Sequence, residues 1–365
     1  MAGHTISSNN HERAPLSSLS YKTIQTVRHD QGSDLVILGH HYQSDQVVRH
    51  VDHVGDSLEL AARVPGLQAR RIVFCGVHFM AETAAVLAQP GQRVYLPETS
   101  ADCFMANMAP AGLVERILEK LMRNGRKVVP LAYVNSSAGL KAICGDHRGS
   151  VCTSANARVM LEWALDRGEH VLFLPDKHLA VNTADQLGVP PTDRTVLDIR
   201  GRGGNIGPAG NRTPRLLIWP GQCAVHARFK TARLAQVRAE HPQALAAAHP
   251  ECHPELVRRA DGVGSTSFII EYAARAPLGS TIFVATECNL VERLQRLYAG
   301  QKTILPLSRS LCSGMGKTTE DGLAALLSSL DTREEIRVSG PVKESAALAL
   351  NRMLQACGRP VLAKG

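Results

Sequence analysis

The chain has 365 residues, is 44% hydrophobic but only 4% aromatic, and carries a formal net charge of +8. At ~150 residues per domain this length predicts two or three domains. The apolar runs stop well short of the ~18 residues that would cross a membrane, and basic residues scattered among few aromatics argue for small anionic molecules and against nucleic acid.

In chain order, residues 1–20 have no apolar signal-like core and read as a disordered leader. From Leu35 onward short β-branched runs alternate with helical patterns. DLVILGHHY precedes a helix expected over 45–64; RIVFCGV precedes one over 79–87; RVYLP follows. KVVPLAYV, SVCTS, HVLFLP and RLLIWP continue the rhythm, then ALAAAHPEC, ADGVGS, TIFVATE and TILPLS, and residues 341–357 read as a closing amphipathic helix. Strands separated by single helices are the pattern of parallel sheets under helical covers.

Three cysteines each follow one of these runs: Cys103 in VYLPETSADCFMANM, Cys223 in LLIWPGQCAVHARF and Cys312 in ILPLSRSLCSGMGK. Dividing the chain after each loop gives a first α/β domain over 21–108, a second over 109–227 and a third over 228–335, with a C-terminal helix in 336–365. The expected fold is α/β: three similar three-layer αβα sandwiches with parallel sheets around a pseudo-threefold axis. Ligands of such sheets lie beyond the strands' carboxyl ends, where the three loops fall. Three thiolates meeting there would hold a four-metal cluster with one iron free of protein ligands, a Lewis acid with room for a substrate. Nine cysteines without a signal sequence predict thiols or metal ligands in a reducing, cytoplasmic setting.

Polar residues cluster where strands should end, in GHHYQ, GDSLEL, AYVNSS, CTSAN, HPEC and GSTS. A single Ser or Thr there is more often a helix cap than a ligand, and Asp45 reads as a true cap. The set as a whole suits carboxylate or phosphate binding at helix starts.

In order, HHYQ with His40 and Tyr42, GDSLEL with Ser57, CGVHFMAET, ADCFMAN with Cys103, YVNSSAGLKA with Tyr133 and Asn135, TSAN with Ser154, LPDKHL, WPGQCAVHARF with Cys223 and His226, HPEC with His249 and Glu251, GSTS with Ser265 and Thr266, TEC, and Cys312 with Met315 resemble the quinolinate synthase family. The match runs from about Leu35 to Leu330, and the number of motifs in one order makes it specific. The resemblance implies an iron–sulfur enzyme of NAD biosynthesis that condenses iminoaspartate with dihydroxyacetone phosphate to quinolinate, losing phosphate and two waters without net redox change.

The resemblance also implies a [4Fe–4S] cofactor with Cys103, Cys223 and Cys312 as its protein ligands. Glu251 and Tyr42 are then expected to transfer protons, Tyr133 to gate or orient the intermediate, and His226 and His249 to hydrogen-bond substrate oxygens or shift protons near neutral pH. His40, Ser57, Asn135, Ser154, Ser265 and Thr266 are expected to hold carboxylates and phosphate. The implied partners are the two small substrates, with a transient contact to an L-aspartate oxidase left open, and neither nucleic acid nor membrane.

Cys75, Cys144, Cys288 and Cys357 read as small buried hydrophobes, and His78 and His178 as structural. Cys252 lies beside Glu251, but the family pattern does not make it a ligand. Some family members carry C-x-x-C-x-x-C at the third ligand; here the upstream places are Pro306 and Arg309, so no disulfide switch can form in that loop. The stretches 141–153 and 200–215 look longer than the family norm and are expected at the surface. A P-loop reading of GMGKTT fails because its first glycine would fall on Leu311. A zinc module fails because cysteines do not come in close pairs.

Overall fold

A computed structural model describes residues 18–199 and 213–358. The first sheet lies within 21–108. α1 (Leu19–Gln31), capped by Ser18 and so beginning inside the stretch expected as a disordered leader, of which residues 1–17 lie outside the described residues, leads into β1 (Leu35–His40), α2 (Asp45–Val48), β2 (His53–Gly55), α3 (Ser57–Arg63), β3 (Arg71–Cys75), α4 (His78–Leu87) and β4 (Arg93–Tyr95). The second, within 109–227, runs α5 (Ala111–Met122), β5 (Val128–Tyr133), α6 (Ala138–Asp146), β6 (Ser150–Cys152), α7 (Ala157–Leu165), β7 (His170–Leu174), α8 (Lys177–Gln186), β8 (Arg194–Val196) and β9 (Leu216–Ile218). The third, within 228–335, runs α9 (Thr231–Glu240), β10 (Leu245–Ala248), α10 (Pro254–Val257), β11 (Gly262–Val263), α11 (Thr266–Arg275), β12 (Thr281–Ala285), α12 (Cys288–Leu297) and β13 (Thr303–Pro306), and α13 (Glu320–Leu327) then returns to the first unit, where Leu323 and Leu327 share a core with Ile24 of α1 and Ile37 of β1. A last helix, α14 (Gly340–Ala356), follows.

Among the described residues every strand pairing is parallel, and the three sheets repeat one order: β2-β1-β3-β4, β6-β5-β7-β9 with β8 added at the edge, and β11-β10-β12-β13. The fold is thus α/β, with three similar helix-covered parallel sheets. Strands such as VIL in β1, VLFL in β7 and IFVA in β12 are buried along their whole length, as parallel strands covered on both faces must be. In this order the chain reverses direction across each sheet between its first and third strands. The crevice at their carboxyl ends is therefore the place for a ligand.

Three corrections to the sequence reading follow. The single helix expected over 45–64 is α2, β2 and α3, because HVG adds a three-residue edge strand to β1 through the Leu38–His53 register. Asp45 is not a cap; it is the first residue of α2, and its carboxylate joins Arg293 at 2.7 Å and Arg296 at 2.6 Å on α12. Arg293 also donates to the carbonyls of His41 and Gln43, so this ion pair clamps the loop that carries Tyr42 to the third sheet's helix.

The stretch 141–153 is not a surface insertion either: it holds the end of α6 and the strand β6, and Cys144 and Cys152 are fully buried there. The cause is α14, which packs on α6 and β6 with Ala346, Ala349, Leu350 and Met353 buried, and whose Ser345 and Arg352 bond Asp146 and the Gly145 carbonyl. A Cβ on Gly145 would lie 1.8 Å from the Ser345 carbonyl. Gly145→Ala must push the two helices apart and is expected to cost roughly 1–3 kcal/mol, read as a lower melting temperature with the site intact. Of the stretch 200–215, residues 200–212 lie outside the described residues.

Candidate active site

The crevices of the three sheets open on one buried cavity of about 60 Å³. Cys103, Cys223 and Cys312 all line it. Each opens a short 3₁₀ turn, Ala106–Met108, His226–Arg228 or Met315–Lys317. The backbone N–H three residues on, at Ala106, His226 and Met315, donates to the sulfur. The loops meet closely: a Cβ on Gly314 would lie 2.1 Å from the Asp102 carbonyl, so the glycine that suggested a P-loop is there for backbone approach.

Burial pushes the Cys103 thiol up to about 12 and raises Cys223 and Cys312 as well. Thiols in such a place ionise when a bound cation supplies the charge. Three soft sulfur donors from three separate sheets, each receiving an N–H, fit an iron–sulfur group. Cys223, His226 and Glu251 also bring a sulfur, a nitrogen and an oxygen within 4.8 Å of one another, a set that could hold a single metal ion.

A chain of hydrogen bonds crosses the cavity between units. Tyr42 Oη lies 2.7 Å from Thr286 Oγ1, which is 3.2 Å from His226 Nε2. His226 Nδ1 lies 3.2 Å from Glu251 Oε2, and Tyr133 Oη donates to Glu251 Oε1 at 2.6 Å. With the His226 proton on Nδ1, every bond runs toward Glu251 from both ends. Burial alone would raise the Glu251 carboxyl, but His226, through its electrostatic attraction and its hydrogen bond, and the Tyr133 hydroxyl hold it below its ordinary value. Burial keeps the Tyr42 and Tyr133 phenols protonated.

His249 stacks on His226 with ring centroids 4.3 Å apart. Burial first, then the charge of His226, pushes His249 down to about 3, so its imidazole is neutral near pH 7 and does not titrate there. His40 behaves alike, at about 3, with Nδ1 accepting from Tyr42 N at 3.1 Å.

The hydroxyls answer the question of caps. Ser57 and Thr266 are first residues of α3 and α11, and the caps are Asp56 and Ser265. Ser154 is not a cap, since Asn156 precedes α7, and its hydroxyl bonds Tyr133. Ser57, Ser154 and Thr266 all line the cavity, where the Thr266 hydroxyl donates to Tyr42 Oη at 3.4 Å. Asn135 lines it too, and its buried Oδ1 has no protein partner. Ser265 is the exception: its Oγ accepts from Phe268 N at 3.3 Å, it is not among the lining residues, and it sets the start of the helix that carries Thr266. Among the described residues no lysine or arginine lines the cavity, so an anion there meets hydroxyls, amides and imidazoles beside the acids Asp56 and Glu251.

If the hydroxyls grip an anion, replacing Ser57, Ser154 or Thr266 by Ala should weaken substrate affinity or rate by about ten- to a hundredfold, the worth of ~1.5–3 kcal/mol for a hydrogen bond to a charged group. The melting temperature should stay near wild type, because none of the three caps a helix. Michaelis constants and turnover for each variant, beside its melting curve, decide the matter.

Thr286 is not singled out by the sequence alone; it lies in TEC, a motif without an assigned role. His178 is structural as expected, its Nδ1 3.3 Å from the Glu251 carbonyl. Cys252 is fully buried with Sγ against the Ala285 carbonyl. Cys75, Cys144 and Cys288 are buried as expected, but Cys357, expected to be buried too, is only partly so because it caps the end of α14, and none of the four lines the cavity.

Comparison with known proteins gives one consistent result. Residues 22–355 match the family model described as NadA, quinolinate synthetase A protein. The quinolinate synthase of Acidobacterium capsulatum is 42% identical over 344 residues, covering 92% of each chain. That of Corynebacterium glutamicum is 42% identical over 342 residues, 92% of this chain and 86% of the relative. That of Bacillus subtilis is 40% identical over 348 residues, 92% of this chain and 94% of the relative.

Proposed function

The chain belongs to the quinolinate synthase family, and on that premise we propose that it is a cluster-dependent enzyme of NAD biosynthesis that condenses iminoaspartate with dihydroxyacetone phosphate to quinolinate. The observation that carries the reading is one buried cavity bearing a cysteine from each of three sheets beside the Tyr133–Glu251–His226 hydrogen-bond chain. The reaction balances as loss of one phosphate and two waters with no electron acceptor, so it needs acid–base groups and a Lewis acid.

Cys103, Cys223 and Cys312 would hold a [4Fe–4S] cluster. When bound, such a cluster supplies an iron without a protein ligand, a Lewis acid for substrate oxygen or nitrogen. Glu251, ionised and held by two donors, takes protons from the condensing carbons and returns them to leaving hydroxyls. His226 passes a proton between Glu251 and Thr286, with Tyr42 at the far end of the relay. Tyr133 orients the carboxylate and closes the cavity. His40, His249 and Asn135 with Ser57, Ser154 and Thr266 hold the carboxylates and phosphate, and Ser265 supports Thr266 from its cap.

Burial of the site keeps water from the imine, which hydrolyses readily. An L-aspartate oxidase in transient contact would shorten the imine's time in water further. We place the reaction in the cytoplasm, where thiols stay reduced; no helix among the described residues is long and apolar enough to cross a membrane.

The test is quinolinate formation from dihydroxyacetone phosphate and enzymatically generated iminoaspartate by anaerobically purified protein, with iron and acid-labile sulfide measured on the same sample. Product formation that follows iron content supports the reading. A protein loaded with four irons that makes no quinolinate refutes it.

A further inference from the structure

The backbone N–H of each of the three cysteines donates to a carboxylate. Cys223 N donates to Asp176 Oδ2 at 3.0 Å, Cys312 N to Glu287 Oε1 at 3.4 Å, and Cys103 N to Asp102 Oδ1 at 2.7 Å. Asp176 and Glu287 occupy one position in two different units. Each follows the third strand of its sheet and caps the next helix, α8 or α12. The residue after each binds the cysteine loop two places before the thiol, Lys177 N to Gly221 O at 2.8 Å and Cys288 N to Ser310 O at 2.9 Å.

Capping a helix needs one acceptor oxygen, which a serine provides. Here both oxygens are used. Asp176 Oδ1 accepts from Leu179 N at 2.7 Å and Glu287 Oε2 from Asn289 N at 2.7 Å, leaving the second oxygen for the cysteine. Both carboxylates are fully buried, an expensive place for an acid that served only as a cap.

In the first unit the same position is Val77, which cannot do this, although His78 N still binds Ala101 O at 2.8 Å. There the exposed Asp102, next to the thiol in sequence, takes the cysteine N–H and is itself held by Asn107 at 2.5 Å. Two different constructions thus give the same contact at all three thiols.

We propose that Asp102, Asp176 and Glu287 are positioning residues for the metal centre, each fixing the backbone of one cysteine so that its sulfur is aimed before the metal arrives. This rests on Cys103, Cys223 and Cys312 being the ligand set. Groups that orient ligands commonly change metal affinity by roughly ten- to a hundredfold when removed.

The experiment is the rate of iron loss to an excess of a ferrous chelator from reconstituted full-length protein, with the melting temperature of the metal-free form measured alongside. Asp176→Asn and Glu287→Gln put one NH₂ where two N–H donors need two acceptors. Iron loss should therefore quicken by roughly ten- to a hundredfold. Asp102→Ala should quicken it too, without lowering the metal-free melting temperature, since that residue is exposed and caps no helix. Asp102→Asn should restore retention, because its oxygen can still accept from Cys103 and the Asn107 amide can turn over.

Wild-type rates of iron loss in Asp102→Ala, with the two buried variants either at wild-type rates or unfolded, overturn the proposal. Faster loss from Asp102→Asn equal to that from Asp102→Ala overturns it as well. If the wild-type protein takes up no iron, or Cys223→Ala retains it, the ligand reading itself fails, an outcome distinct from retention in the carboxylate variants alone.

Discussion

Replacing Cys103, Cys223 or Cys312 singly by Ala is expected to abolish both the visible thiolate-to-iron absorption of the reconstituted protein and its quinolinate formation. Each thiol comes from a different sheet, so no second cysteine in the same loop can take over. Other sulfurs are present, yet Cys75, Cys144, Cys252 and Cys288 are buried within their own units and none lines the cavity. The loss should not be a loss of fold, because the three thiols are only partly buried and lie in loops beyond the strands. Metal-free variants should therefore melt close to metal-free wild type. Cys75→Ala and Cys357→Ala serve as controls and should leave iron content and activity in place. A Cys223→Ala protein with full iron and full turnover would end the ligand assignment.

The unequal legibility of this chain has physical reasons. Strands such as RIVFC and HVLFL are continuous apolar runs, so their existence follows from local pattern, and parallel sheets follow from the single helices between them. HVG at β2 has no such pattern; it is a strand because β1 offers it a ladder, and a local reading extends the helix through it. The burial of 141–153 likewise depends on α14, some two hundred residues away in sequence.

Within the site, the cysteines and the Tyr42, Tyr133, His226 and Glu251 side chains announce themselves by chemistry and by motif. Thr286, Asp176 and Glu287 do not. A threonine and two acids at strand ends look like ordinary caps, and two of them are caps. Their further contacts run to Tyr42, His226, Cys223 and Cys312, which lie elsewhere in the sequence. Asp45 shows the converse: its position after GHHYQS suggests a cap, but Arg293 and Arg296 claim it from another unit.

Glu251→Gln is expected to lower turnover on the order of 10²-fold or more while leaving the iron content and the cluster absorption intact. The substitution keeps the shape and the hydrogen bond from Tyr133, whose hydroxyl can still donate to the remaining oxygen. What changes is the other side. The new NH₂ faces His226 Nδ1, which must then accept, so the imidazole proton moves to Nε2 and the bond to Thr286 reverses. The relay toward Tyr42 would point the wrong way, and no group at position 251 could take a proton. Turnover should fall much more than substrate affinity, because the anion-holding hydroxyls and Asn135 are untouched. Single-turnover rates and a binding isotherm for the same variant separate the two. The Cys223, His226 and Glu251 grouping supplies the contrary outcome: if Glu251→Gln loses its metal, the carboxylate is a ligand and its role as proton carrier falls. A metal-replete variant with wild-type turnover would remove Glu251 from the chemistry altogether.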